Sequence, residues 1–424
     1  MSTLPSDARV VILGAGHGGA QLAVDLRAKG HAGEILLLSA EDAPPYQRPP
    51  LSKAYLSGAA DAPPPLLRAL PAYEKAGVSL RLGVRATAID RRARRVETAT
   101  GERLAYDRLV LATGARAAPA PFVPADLATP AAGLFTLRSL ADARALIPAL
   151  AAARRLAIAG GGLIGLEIAA HAAAAGIATT LVEAGPRLMA RSVSPAVSDF
   201  FLARHRAAGV AVRLDARIEA VERADGRIAA VRLGDGETIA CDLLVSAIGA
   251  QPRTELAEAA GLGLDRWAGG VAVDAKLATE DPAIHALGDC AAFPSPWAPD
   301  QMRVRLESVQ NAVDQARFLA AGLATHSSGA QDAPAAYDAL PWFWSDQGAD
   351  KLQIAGLSLG VDRWVARGDP GSGRFSLLGF AGESLACVEA VNRPRDFMDA
   401  RKLLAAGESP PAAALADPEV RLAA

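Results

Sequence analysis

Cysteine is scarce: only Cys241, Cys290 and Cys387 occur in 424 residues, and they lie far apart. That spacing leaves no CxxC redox pair and no four-cysteine iron–sulfur pattern, so neither an internal dithiol nor a resident cluster is expected. Each cysteine reads as a small buried apolar residue, and no metal site is expected. The formal net charge of -2 lacks the basic excess of a generic nucleic-acid binder. Hydrophobic residues make up 51% of the chain, yet alanine inflates that share and no uninterrupted apolar run is long enough to span a bilayer. The first eight residues are polar and carry no apolar signal-peptide core, so a soluble cytoplasmic protein is the expectation. The length suggests two or three domains.

Against these absences stand two glycine fingerprints, Gly14-Ala15-Gly16-His17-Gly18-Gly19 and Gly160-Gly161-Gly162-Leu163-Ile164-Gly165. Each follows a short apolar run, residues 9–13 or 155–159, and precedes an alanine-rich helical stretch. In that strand–turn–helix setting the first glycine (Gly14, Gly160) permits the tight turn and the second (Gly16, Gly162) lets the backbone approach a pyrophosphate. The third (Gly19, Gly165) allows close helix–strand packing, and the phosphate sits on the helix N-terminus. Two such units imply two dinucleotides, one a flavin and the other a nicotinamide.

The next strand of a dinucleotide unit should end in an acid that binds ribose hydroxyls. In the second unit the strand over residues 179–182 ends in Glu183, which favours NADH over NADPH, while Arg187 and Arg191 nearby leave NADPH open as an alternative. In the first unit the strand over 34–39 is followed by Ala40, and the acid, Glu41, comes slightly late. Residues 44–53 hold four prolines and read as an extended loop. Arg91, Arg92, Arg94 and Arg95 read as a solvated hairpin edge. Residues 106–114 and 243–249 repeat one strand-and-turn pattern, as if closing two like lobes. A linker is expected over 325–335, then short strands, a helix and a disordered Pro/Ala tail, the pattern of a small α+β domain.

Seven stretches carry a closer likeness: Pro45-Tyr46-Gln47-Arg48-Pro49-Pro50-Leu51-Ser52-Lys53, Leu111-Ala112-Thr113-Gly114-Ala115-Arg116, residues 160–167, Arg191-Ser192-Val193-Ser194-Pro195, Leu287-Gly288-Asp289-Cys290, Glu307-Ser308-Val309-Gln310-Asn311-Ala312 and Pro341-Trp342-Phe343-Trp344-Ser345-Asp346-Gln347. In these the chain resembles the FAD-dependent, NADH-linked ferredoxin reductases of bacterial cytochromes P450 and aromatic-ring dioxygenases, the putidaredoxin reductase and biphenyl dioxygenase reductase type. The resemblance implies an α/β, glutathione-reductase-like fold that binds two dinucleotides and ends in a small α+β domain. It implies an FAD domain over residues 1–115 and 245–330, an NAD domain over 116–244 and a C-terminal domain over 331–424. FAD contacts are implied at Gly14, Gly16, Gly19, Arg48, Lys53, Arg116, Asp289 and Val309, with Glu41 in doubt as the ribose acid. Lys53 and Glu167 are implied beside the flavin–nicotinamide contact, and Trp344 near the flavin edge.

The function implied is transfer of electrons from NADH through FAD to a [2Fe–2S] ferredoxin. Other readings are a rubredoxin reductase, another NADH-dependent flavoprotein, or a redox-sensing protein in the manner of apoptosis-inducing factor. Because ferredoxins of this type are generally acidic, Arg303, Arg305, Arg393 and Arg395 are candidate docking residues. The oligomeric state stays open.

Overall fold

The computed structural model describes residues 7–124, 132–328, 335–418 and 420–422. The chain forms two compact units, Met1–Gln47 with Pro65–Arg116 and Gln251–Trp342, and Arg48–Pro64 with Ala117–Ala250 and Phe343–Ala424.

In the first unit a five-stranded sheet runs in the order Ile284–Ala286, Arg108–Leu111, Val10–Leu13, Ile35–Leu38, Val78–Arg81. Every neighbouring pair is parallel. Val10–Leu13 and Ile35–Leu38 are buried at every position, which is why both read as unbroken apolar runs: a parallel sheet is covered on both faces. The second unit repeats the plan with Leu134–Phe135, Leu243–Ser246, Arg155–Ala159, Ala178–Val182, Ala211–Arg213. Each lobe also inserts a three-stranded antiparallel sheet between its third-strand edge and its return strand, Ala86–Asp90 to Arg103–Ala105 in the first and Ile218–Ala224 to Thr238–Ala240 in the second. The outermost strand departs from the repeat: Ile284–Ala286 follows its lobe's other strands in sequence, whereas Leu134–Phe135 precedes them.

The C-terminal sheet runs Trp342–Gln347, Asp350–Gly356, Ser384–Val391, Phe375–Ala381, Arg363–Arg367. Its Ile354, Phe375, Leu377 and Val391 share one apolar cluster with Leu166, Ile168, Val197 and Phe201 of the second lobe. The helix Pro195–Ala207 carries Phe200 and Phe201 into that cluster, with Phe200 edge-on to Phe375 at 5.4 Å. Its N-cap is Ser194, whose N–H donates to both oxygens of the buried Glu389 at 2.8 and 3.1 Å and whose hydroxyl donates at 2.5 Å. These bonds and the helix N-terminus favour the carboxylate, but loss of water outweighs them and pushes Glu389 up to about 7.

Four local expectations need correction. Residues 44–53 are not wholly extended: Pro49–Ser52 forms a short 3-10 helix, which tolerates Pro49 and Pro50 because first-turn positions need no N–H. Among the hairpin arginines, Arg91 is anchored, pairing with Asp281 at 3.0 Å and donating to the Gly261 carbonyl at 3.1 Å, while Arg92, Arg94 and Arg95 are exposed. The helix Val309–Ser328 runs through the start of the expected linker, and residues 329–334 of it lie outside the described residues. The tail is held: the buried Arg367 guanidinium donates to the carbonyls of Leu415 at 3.0 Å and Val420 at 2.5 Å, and also to that of Asp417.

A carboxyl raised in the folded state alone makes stability depend on pH. The unfolded chain releases the Glu389 proton near 4.5 and the folded chain keeps it to about 7. Stability therefore falls as pH rises through that window, by up to about 3 kcal/mol. Melting scans between pH 4.5 and 8 should show this loss in the native protein and a flatter profile in Glu389→Gln; equal slopes would contradict it.

Candidate functional site: two fingerprint turns and a buried carboxylate

The two glycine turns share one geometry. Gly14 and Gly160 have φ of +109° and +102°, and a Cβ on them would stand 2.2 Å from the Ala112 carbonyl oxygen and 2.5 Å from that of Ala247. The sheet thus presses the end of its return strand against the first glycine. A Cβ on Gly19 or Gly165 would come within 1.9 or 2.1 Å of the first glycine's own oxygen. At Gly16 and Gly162, by contrast, nothing in the protein lies within 4 Å of such a Cβ. These two glycines cap the helices His17–Ala28 and Leu163–Ala174 without a side-chain bond, whereas serines cap Leu140–Ala152 and Pro195–Ala207. Open space at a helix head with no side-chain cap fits a dinucleotide pyrophosphate.

The ribose acids differ between the lobes. Glu183 directly follows Val182, and its two oxygens accept from the N–H groups of Gly161 at 2.6 Å and Gly185 at 2.7 Å. The matching place in the first lobe, one past Leu38, is Ser39. Its hydroxyl accepts from the Glu41 N–H at 3.2 Å, and Glu41 takes the Tyr46 hydroxyl at 2.6 Å.

Of the other first-unit candidates, Asp289 lies in the one-turn helix Gly288–Cys290 just beyond the strand Ile284–Ala286, and Val309 opens the helix Val309–Ser328. Gln315 from that helix accepts from the Gly288 N–H at 2.7 Å, holding the two together. Arg116 pairs with Glu255. Arg305 is engaged inside the fold, donating to the carbonyls of Ala268 at 3.1 Å and Asp289 at 3.3 Å and pairing with Glu307. Arg303 is exposed. In the second unit Arg48 donates to the Arg138 carbonyl at 2.7 Å, Arg393 pairs with Asp396 at 2.9 Å, and Arg395 is exposed.

Lys53 and Glu167 meet. Lys53 follows the one-turn helix Pro49–Ser52, and its ammonium lies 2.7 Å from Glu167 Oε2. Glu167 is the fifth residue of the helix Leu163–Ala174, and its side chain is only 3% exposed. The Ser52 hydroxyl donates to the same oxygen at 2.5 Å, and the Ser345 hydroxyl to Oε1 at 2.6 Å. Such an arrangement fixes an anion in one position and presents the more exposed Lys53 as a cation. Alternation along Trp342–Gln347 puts Trp344 on the face opposite Ser345. Sequence reading missed Ser52 and Ser345; both stand in stretches that carry the family likeness, and the period of two in the strand was the signal for Ser345.

A family model described as pyridine nucleotide-disulphide oxidoreductase matches residues 8–316, and a reductase C-terminal model matches 342–424. The chain belongs to the pyridine nucleotide-disulphide oxidoreductases. It is 43% identical to rhodocoxin reductase of Rhodococcus erythropolis over 93% of this chain and 89% of that one. Among solved structures, the ferredoxin reductase for the CYP199A2 system from Rhodopseudomonas palustris matches with TM-score 0.92 at 40% identity, over 98% of this chain and 99% of that one. The covalent putidaredoxin reductase–putidaredoxin complex matches at 0.91 and 38%, over 98% and 97%. The protein is accordingly an FAD-dependent, NAD(P)H-linked oxidoreductase with the two-dinucleotide fold. It departs from the family's name in one respect: Cys241, Cys290 and Cys387 are all buried and unpaired, and burial pushes each thiol up. Among the described residues no helix is long and apolar enough to cross a membrane.

Because Gly16 and Gly162 face open space, a methyl group there obstructs a ligand rather than the fold. Gly162→Ala should keep its melting temperature and FAD content while the NADH KM rises about tenfold or more. Gly16→Ala should instead lose FAD. A Gly162→Ala oxidoreductase with native KM would contradict this assignment.

Proposed function

We propose that the protein takes hydride from NADH and passes the electrons singly to a [2Fe–2S] ferredoxin that serves a cytochrome P450 or an aromatic-ring dioxygenase in the cytoplasm. The observation that carries this reading is the coexistence of two dinucleotide turns with three buried, separated cysteines: electrons enter through paired cofactors and have no dithiol of the chain's own to pass through. Likeness over nearly the whole chain to a reductase solved with putidaredoxin supports the ferredoxin as acceptor.

In this reading residues 1–115 and 245–330 hold FAD through Gly14, Gly16, Gly19, Glu41, Arg48, Lys53, Asp289 and Val309, with Arg116, the residue just past the first segment, as a further contact. Residues 116–244 hold NADH through Gly160, Gly162, Gly165 and Glu183, and residues 331–424 form the C-terminal domain. Bound FAD supplies the change from two-electron to one-electron transfer. The chain's own part is to orient the nicotinamide and to place charge. Lys53 offers a fixed cation where negative charge develops, and Glu167 holds that lysine and the carboxamide. Trp344 lies near the flavin edge. Glu183 accepts from a ribose 2′-hydroxyl and repels a 2′-phosphate.

Reduction should be much faster with NADH than with NADPH, and the reduced protein should turn over rapidly with a [2Fe–2S] ferredoxin. Since Arg305 is occupied within the fold, the docking test falls on the exposed Arg303. Arg303→Glu should raise the ferredoxin KM about three- to tenfold and flatten its salt dependence, with NADH–ferricyanide activity unchanged. Faster turnover with rubredoxin, or a preference for NADPH, would overturn the corresponding half of the reading.

A further inference from the structure

The Glu167 carboxylate is shared unequally. Ser52 and Lys53, neighbours in sequence, both reach Oε2, at 2.5 and 2.7 Å, whereas Oε1 is met by Ser345 from the C-terminal sheet at 2.6 Å. A carboxylate held at one oxygen can still pivot about that contact; a donor on the second oxygen fixes its plane. Ser345 is fully buried, and it lies on a strand whose inward face is anchored two residues on. There Gln347 bonds His205 Nε2 at 3.0 Å and donates to Met189 Sδ at 3.3 Å. Burial lowers the His205 pKa, so the anchor is uncharged near neutrality and adds no competing field.

We propose that Ser345 is a positioning residue for hydride transfer: from the C-terminal sheet it fixes the plane of the Glu167 carboxylate and thereby the direction in which Lys53 is held. The proposal rests on the reading that Lys53 and Glu167 act at the nicotinamide. It gives the C-terminal domain a part in the entry of electrons, through one hydroxyl. If Ser345 served only to satisfy a buried anion, its loss would lower stability and leave the division between binding and chemistry untouched.

The test uses FAD-loaded protein carrying Ser345→Ala, Ser345→Thr, Glu167→Gln or Ser345→Ala with Glu167→Gln. Three quantities are measured: the limiting rate of flavin reduction at saturating NADH, the NAD+ dissociation constant by calorimetry, and the melting temperature. Ser345→Ala should slow the limiting rate about tenfold while NAD+ affinity changes less than about threefold, and Ser345→Thr, which keeps the hydroxyl, should recover most of the rate. In the Glu167→Gln background Ser345→Ala should add less than about twofold. A rate loss that tracks NAD+ affinity or melting temperature, that Thr does not rescue, or that is equally large without the carboxylate would overturn the proposal. A native rate in Glu167→Gln alone would instead remove the reading of Lys53 and Glu167 on which it stands.

Discussion

A carboxylate taken out of water persists only where donors meet it, and at Glu167 two other segments of the second unit supply them. Its partners come from segments far apart in sequence: Ser52 and Lys53 from the turn after a proline-rich loop, Ser345 from the first strand of the C-terminal sheet. Removing one partner of a buried pair leaves an uncompensated charge, whereas an apolar replacement of both is often neutral for stability. A buried ion pair is therefore a weak device for holding a fold together and a strong one for fixing charge in place. The segment Arg48–Pro64 packs with the second unit although its flanks belong to the first, and the Lys53–Glu167 pair lies where it meets the helix Leu163–Ala174.

Repetition with altered detail runs through the two lobes. Both use the same order for four of their five strands, a three-stranded antiparallel sheet inserted at the same point and the same glycine contacts at the turn. The differences lie where two ligands would differ. Glu183 stands at the strand end in one lobe, and Ser39 stands there in the other with Glu41 two residues later. Only the second lobe carries an acid, Glu167, two residues beyond its third fingerprint glycine; the first has Gln21 at that place. One architecture thus presents two chemically distinct surfaces, and under the proposed function that asymmetry assigns NADH to one and FAD to the other.

Much of this was legible in the sequence for identifiable reasons. Buried parallel strands read as continuous apolar runs, and glycines at fixed spacing mark turns that no other residue fits, so Val10–Leu13, Arg155–Ala159 and both fingerprint helices stand out. What stayed hidden depends on contacts distant in the chain. Nothing near Arg367 announces that it binds carbonyls about 50 residues on, so the alanine-rich tail read as disordered. Pro49–Ser52 was obscured because prolines signal both loops and first helical turns. Ser345 was masked by the tryptophans around it, and Glu389 meets Ser194 across 195 residues.

The central claim is that a fixed cation at Lys53, held by Glu167, acts on hydride transfer itself. Rapid-mixing measurement of flavin reduction at saturating NADH in Lys53→Met tests it most directly. The limiting rate should slow about tenfold or more, with FAD content and fold retained. A native limiting rate in that variant would show the pair to be a structural bridge and would contradict the claim.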